Sequence, residues 1–229
     1  MTSPSMPGLN LFYKQSLMAE KLEALKKYCD QGFTHLLMFG HAGKRLWEAV
    51  EDKIGDVLEP IDTYSIEAIS HFIESSYPDC RFKFLYPGDA LGVSLRDLGK
   101  AAGWHQDSAI GLGIHPVWGT WFAYRAVVLV DEHFKMPDTP PVENQSPCGF
   151  CIDKPCVSAC PAGALEYSAV DKIKTCSRYR VKEDSLCHST CLARVACPAG
   201  KEHQYSDAQL SYHYDVSLRT IRAYLAGLK

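Results

Sequence analysis

With 229 residues, 46% of them hydrophobic and 22% charged, the chain has an ordinary globular composition and enough length to bury a core as one large domain or two modest ones. Its net charge of −3 supplies no broad basic field, so nucleic acid is not an expected partner. No stretch approaches the roughly 20 apolar residues that cross a bilayer, and Lys14, Glu20 and Lys21 interrupt any run that would serve as a secretory signal. The expectation is a cytoplasmic, reducing location without a membrane partner, where ten cysteines point to metal rather than disulfides.

Residues 1–8 are rich in Ser and Pro and read as a frayed tail. From Leu9 to Asp30, Met18, Leu22, Leu25 and Cys29 recur at helical spacing until Gly32 breaks the pattern. Phe33 to Phe39 reads as a buried strand. Lys44 to Leu58 reads as a helix with Leu46, Val50, Ile54 and Val57 on one face, ended by Pro60. Asp62 is placed to cap the next helix, with Ile66, Ile69 and Ile73 inward. Arg81 to Tyr86 alternates as a strand does, and Pro87-Gly88-Asp89 turns it. Ser94 and Asp97 have the spacing of a capping box for a helix from Leu95 to Ala102. Ser108 to Ile114 and Thr120 to Val130 read as strands, the second too continuously apolar to have a wet face. Pro137, Pro140, Pro141 and Pro147 mark an extended connector, and Ser206 with Gln209 forms a capping box for a terminal helix carrying Leu210, Leu218, Ile221 and Leu225. The expected architecture is α+β: an α/β module over 9–135, a loop-rich metal module over 136–204, and a helix over 205–229.

Eight of the cysteines lie between Cys148 and Cys197 in two groups, each closing on Cys-Pro. In two-cluster ferredoxins, three closely spaced cysteines hold one iron–sulfur cluster and the fourth, before a proline, ligates the other. By that logic Cys148, Cys151, Cys156 and the distant Cys197 share one [4Fe-4S] cluster, and Cys160, Cys176, Cys187 and Cys191 share a second. The gaps after Cys151, Cys187 and Cys191 are wider than the usual spacing. Zinc is the competing occupant, because Cys148-x2-Cys151 and Cys156-x3-Cys160 each offer thiolates for a tetrahedral site. Cys29 and Cys80 read as core, and His188 as a solvated loop residue. Lys154, Lys172, Lys174, Arg178, Arg180 and Lys182 surround the cysteines with positive charge. They form either a solvated surface or a docking face for an acidic external electron donor of the ferredoxin or flavodoxin type.

The stretch Ile110-Gly-Leu-Gly-Ile-His115-Pro-Val-Trp-Gly119-Thr-Trp121-Phe122, the Pro-rich link, Cys148-Gly-x-Cys, Cys176-Ser-Arg-Tyr179 and Cys197-Pro resemble epoxyqueuosine reductase and its reductive dehalogenase relatives. Those families join a nitroreductase-like, cobalamin-binding domain to a two-cluster ferredoxin module. The run from Ile114 to Leu129, with Pro137-Asp138-x-Pro140-Pro141, is also similar to the cobalamin-processing chaperones of eukaryotes. The resemblance implies a nitroreductase-like domain holding cobalamin, or a flavin, beside a cluster wire. It implies cofactor contacts from His115, Trp118, Gly119, Trp121 and Arg125, and corrinoid reduction or reductive cleavage of a small substrate. The acid-bearing Tyr-x-x-Gly-x-Asp-Tyr stretch of epoxyqueuosine reductases is absent. Asp62, within Ile61-Asp62-Thr-Tyr64, occupies a comparable place as candidate catalytic acid. The alternative is a non-enzymatic electron-transfer or cobalamin-carrier protein serving a partner enzyme.

Overall fold

The computed structural model describes residues 6–88, 92, 94–143, 145–166 and 168–227. Residues 1–5 of the expected tail and Asp89 of the expected turn lie outside them. The chain divides into two compact units, one formed by Met1–His105 and Phe122–Asn144, the other by Gln106–Trp121 and Gln145–Lys229. Residues 106–121, which the sequence pattern assigns to the N-terminal module, therefore group with the cysteine-bearing segment.

The first unit is built on an antiparallel sheet of four strands: β1 (Leu11–Ser16), β2 (His35–Ala42), β3 (Phe82–Tyr86) and β4 (Phe122–Val130), in the order β1-β2-β4-β3. The two central strands carry the longest apolar runs, and burial follows: Leu36 to Phe39 and Ala126 to Val130 are wholly inaccessible. Such strands are covered on both faces, as the continuous run in β4 implies. A bulge between Phe39 and Gly40 shifts the β2–β4 register. There a side chain at Gly40 would press on the Ala123 carbonyl at 2.9 Å, so only glycine lets the two backbones approach.

Helix α1 (Pro60–Ser76) buries Ile61, Ser65, Ile69 and Ile73 on one stripe. Burying Ile69 and Ile73 contributes about 2 kcal/mol each. Pro60 begins this helix, its fixed φ suiting the first turn, where no intrahelical acceptor is needed. Asp62 consequently sits in the first helical turn rather than at the N-cap, which Glu59 occupies. Helix α2 (Leu95–Ala101) is capped as expected, the Ser94 hydroxyl accepting from the Arg96 N–H.

Three expected elements are different. Leu9 to Asp30 forms β1 and then a kinked 3-10 segment, Glu20–Gln31; Leu22 and Leu25 are buried, but Met18 is 68% exposed. Pairing with β2 along all six residues of β1 overrides the helical spacing. The expected helix over 44–58 is reduced to Arg45–Glu48 and a 3-10 turn, Glu51–Lys53: Val50 leaves the helical region at φ −130°, Ile54 is extended, and Gly55 then takes a positive φ. Of the expected strand over 108–114, only Gly113–Ile114 pairs, with Gln106–Asp107.

In the second unit α3 (Ala169–Arg180) is capped by Ser168, and α4 (Asp207–Gly227) by Ser206, whose hydroxyl accepts from the Gln209 N–H at 3.2 Å. Trp121, Tyr205 and Leu210 form its small apolar centre. Among the described residues no helix is long and apolar enough to cross a membrane.

Candidate functional site

The second unit holds its cysteines on short, locally specified elements. Pro147 opens a single turn, Pro147–Phe150, that carries Cys148 and leads into Cys151. Pro155 opens another, Pro155–Ser158, behind Lys154 in the left-handed region, and this turn carries Cys156. A third turn, Leu192–Val195, separates Cys191 from Cys197, and Cys176 projects from α3.

These elements gather the eight thiols around two cavities. Cys148, Cys151, Cys156 and Cys197 line the first, of about 40 Å³, with Ile114 and Ala109 among its apolar walls. Cys160, Cys176, Cys187 and Cys191 line the second, of about 350 Å³, under Ile110 and Leu112. Each Cys-Pro pair sends its cysteine to the cavity lined mainly by the other run: Cys160 leaves the first run, and Cys197 leaves the second. Cys29 and Cys80 line neither; the Cys80 thiol is pushed up to about 11 by burial and the nearby Asp131 carboxylate. Among the described residues no group of three or more His, Cys, Asp or Glu side chains is placed to hold a metal ion directly. The thiols instead line cavity walls.

Burial raises the thiol pKa values of Cys156 and Cys197 in the first cage, and the other cysteines of that cage push them further up. Burial likewise raises Cys176 and Cys187 in the second, with Cys191 and Cys160 adding to it and the Arg180 guanidinium opposing it. Without a cation between them these thiols keep their protons, and a bound metal group would displace them.

Two arginines are buried on the wall of the second cavity. Arg180 donates from Nε to the Cys187 carbonyl at 3.0 Å, from Nη1 to Ser217 Oγ at 2.9 Å, and from Nη2 to the His188 and Tyr214 carbonyls at 3.2 and 2.9 Å. Arg194 lies over the rings of Trp121 and Tyr205 and donates to the Thr120 carbonyl. Its Nε is buried without an acceptor among the described residues. Neither guanidinium meets a carboxylate among those residues, although buried cations ordinarily do. Arg180 is thus not part of a solvated surface. Lys154, Lys174, Arg178 and Lys182 are exposed, while Lys172 reaches the Ala109 carbonyl at 2.8 Å. The His188 ring donates to the Lys182 carbonyl.

The loop over 115–121 is locked against the end of the cysteine run. His115 and Gly119 exchange both backbone hydrogen bonds, at 2.7 and 3.0 Å. The buried His115 ring accepts at Nδ1 from the Val117 and Trp118 N–H groups. Gly119 takes φ +57°, and its α-carbon faces the backbone of Ala199 and Gly200. The Trp118 ring packs against His203 with centroids 4.2 Å apart and planes tilted by 49°, and Trp121 is wholly buried under Arg194. Burial pushes His115 down to about 4. A base depressed in the folded state contributes stability that is present above its unfolded value of about 6.5 and lost as pH falls towards 4, here about 3 kcal/mol. His115→Asn keeps an acceptor for the two N–H groups but cannot titrate. We expect its denaturant midpoint to fall less than that of the wild type between pH 7 and pH 4.5.

Arg125 and Asp62 belong to the first unit. Arg125 Nε donates to His41 Nδ1 at 2.9 Å, and its Nη1 stands 3.7 Å from Asp62 Oδ1. Tyr86, raised mainly by burial, feels both charges. Asp62 and Arg125 are therefore brought together, with His41 behind them. The sequence pattern names Arg180 only as one of several positive charges around the cysteines and does not single out His41 or Arg194; the available signal was that Arg180 and Arg194 lie inside the Cys176–Cys187 and Cys191–Cys197 intervals.

No sequence-family model matches the chain, and no curated protein matches it by sequence. Solved structures do. A selenomethionine-labelled epoxyqueuosine reductase superposes with a TM-score of 0.52 at 15% identity, covering 87% of this chain and 64% of the reductase. The fold matches that of the epoxyqueuosine reductases. A catabolic reductive dehalogenase in complex with 3-bromo-4-hydroxybenzoic acid matches with a TM-score of 0.51 at 15% identity, over 96% of this chain and 33% of the dehalogenase. A B12-trafficking protein of C. elegans aligns at 0.48 and 12% identity, over 89% and 84% of the two chains. The chain thus spans less than two thirds of the reductase's length, and at these identities the likeness is one of fold: the α+β arrangement with a C-terminal helix.

Proposed function

We propose that the chain is an iron–sulfur oxidoreductase in which Cys148, Cys151, Cys156 and Cys197 hold one [4Fe-4S] cluster and Cys160, Cys176, Cys187 and Cys191 hold the other. The observation that carries this reading is the second cage: four thiols facing one cavity, with two buried guanidiniums on its wall that meet no carboxylate among the described residues. That donor set suits an anionic polynuclear group, since thiolates supply the ligands and the arginines offset the charge that burial would otherwise penalise. When bound, such clusters store and release single electrons. The protein's own contribution is to present eight thiolates, to turn the chain at Pro161 and Pro198, and to line the cavities with the apolar side chains of Ile110, Leu112 and Ile114.

The electrons would serve a cofactor of the corrinoid class, for reduction of the corrinoid itself or reductive cleavage of a small substrate; the epoxyqueuosine reductase and dehalogenase folds support that class. His115 Nδ1, Gly119 and Trp121 are already committed to packing within the second unit, so a corrin would not be met by all five residues of the motif. An external one-electron donor would supply the cages. A purely electron-carrying role is the second reading, favoured by the engagement of Asp62, the candidate acid, with Arg125.

Anaerobic purification followed by iron and sulfide analysis tests the cages, with about eight irons per chain expected. Titration with cobalamin and with flavin, followed in the visible spectrum, tests the pocket. A cobalamin-specific change supports the oxidoreductase. No change with either cofactor leaves only the carrier, and a colourless, zinc-bearing protein contradicts both.

A further inference from the structure

The two cages differ in the kind of positive charge that faces them. Arg180 and Arg194 are 5% and 8% exposed and line the second cavity. The side chains around them there are Tyr179, His213 and Tyr214, and burial keeps the Tyr214 hydroxyl protonated. No carboxylate lines that cavity among the described residues. The charged residue lining the first cavity is Lys154, which is exposed, and Lys201, the cation acting on Cys197, is exposed too. A solvated ammonium is screened by water and salt, whereas a guanidinium held in the interior acts through a lower effective dielectric.

We propose that the buried pair Arg180 and Arg194 makes the cage of Cys160, Cys176, Cys187 and Cys191 the more easily reduced of the two, so that an electron entering the chain comes to rest there. This rests on the iron–sulfur reading of both cages. Reduction of either occupant adds one electron and no atom, taken from an external low-potential one-electron donor, and so adds one negative charge. Burial opposes that charge in both cages; interior cations oppose burial in one of them only. The positioning is also rigid. Arg180 is tied by four hydrogen bonds, and Arg194 is held between two rings and the Thr120 carbonyl, so neither charge can swing away. The first cage would then be the entry side. Phe150 and Ile152, which flank Cys151, are 69% and 92% exposed, as an approach for a donor requires.

The test is an anaerobic redox titration of the full chain followed by electron paramagnetic resonance, with iron and sulfide counted on the same sample. Cys148→Ser identifies the signal that belongs to the first cage. Two separate midpoints are expected, the higher one persisting in Cys148→Ser. An at least tenfold preference for the second cage is expected, which is about 59 mV for a one-electron couple. Arg194→Gln should lower the upper midpoint and leave the lower one in place, and Arg194→Lys should restore most of the shift. If Arg194→Gln does not fold, the order of the midpoints in the wild type and Cys148→Ser still decides the matter. Coincident midpoints with a full iron count, a higher midpoint in the first cage, or an equal shift of both in Arg194→Gln would overturn the proposal while sparing the cluster reading. A chain without iron would overturn both.

Discussion

Gly119→Ala should be among the most damaging single substitutions in the second unit, costing about 3 to 5 kcal/mol. Two effects combine. A non-glycine residue at φ +57° carries backbone strain of about 1 to 2 kcal/mol. The added methyl group would also land on the carbonyl of Ala199, and a main-chain oxygen has no side-chain torsion by which to yield. Relief requires moving either the 115–121 loop or the Cys197-Pro198-Ala199 segment. The first breaks the paired hydrogen bonds of His115 and Gly119, and the second withdraws Cys197 from its cage. The expected result is a lowered denaturant midpoint together with loss of about half the iron. Gly149→Ala is the control. It lies between Cys148 and Cys151, but nothing stands within 4 Å of the added methyl. It should change stability by less than about 0.5 kcal/mol and leave the iron count unchanged.

Arg180→Met is expected to cost about 3 to 5 kcal/mol and to empty the second cage. The methionine fills much of the volume but strands the carbonyls of Cys187, His188 and Tyr214, and each buried acceptor left without a donor costs about 1 to 3 kcal/mol. Two of those carbonyls sit on a cage cysteine and its neighbour, so the ligand loop and the terminal helix both lose their tie. Arg180→Lys should recover little. An ammonium carries the charge but cannot span a bond pattern that uses all three guanidinium nitrogens. Stability by chemical denaturation and iron per chain, measured on the same preparations, check both parts.

What the sequence made legible follows the range of the interactions involved. Cys-Pro punctuation, the Ser206–Gln209 cap and the apolar run of β4 are local signals, and each corresponds to a feature of the structure: cysteines that cross between cavities, a capped terminal helix and a buried central strand. The two sets of four thiols around the cavities are the sets that ferredoxin spacing implies, in spite of the wide gaps after Cys151, Cys187 and Cys191. One-turn elements take up part of those gaps: Pro155–Ser158 keeps Cys156 at the cavity of Cys148 and Cys151, and Leu192–Val195 carries the chain from Cys191 at the second cavity to Cys197 at the first. Elements decided by distant partners were not legible. The segment from Leu9 becomes a strand because β2 offers a full ladder, and Pro60 starts a helix instead of ending one because the preceding pattern stops before Gly55. The His115 loop contains nothing that names its partner, Ala199-Gly200, about 80 residues away. Asp62 illustrates a subtler limit. Its short-range pattern suits a helix cap, whereas its geometry places it opposite Arg125 of β4, a neighbour that no local window contains.

The central claim is that eight thiolates are divided four and four between two clusters. It is tested most directly by iron and acid-labile sulfide counts on the intact chain and on two variants, Cys148→Ser/Cys151→Ser and Cys187→Ser/Cys191→Ser, all prepared without oxygen. The wild type should carry about eight irons, and each variant about four, with the spectrum of the opposite cluster intact. About four irons in the wild type, complete loss of iron in either variant, or zinc in place of iron would contradict it.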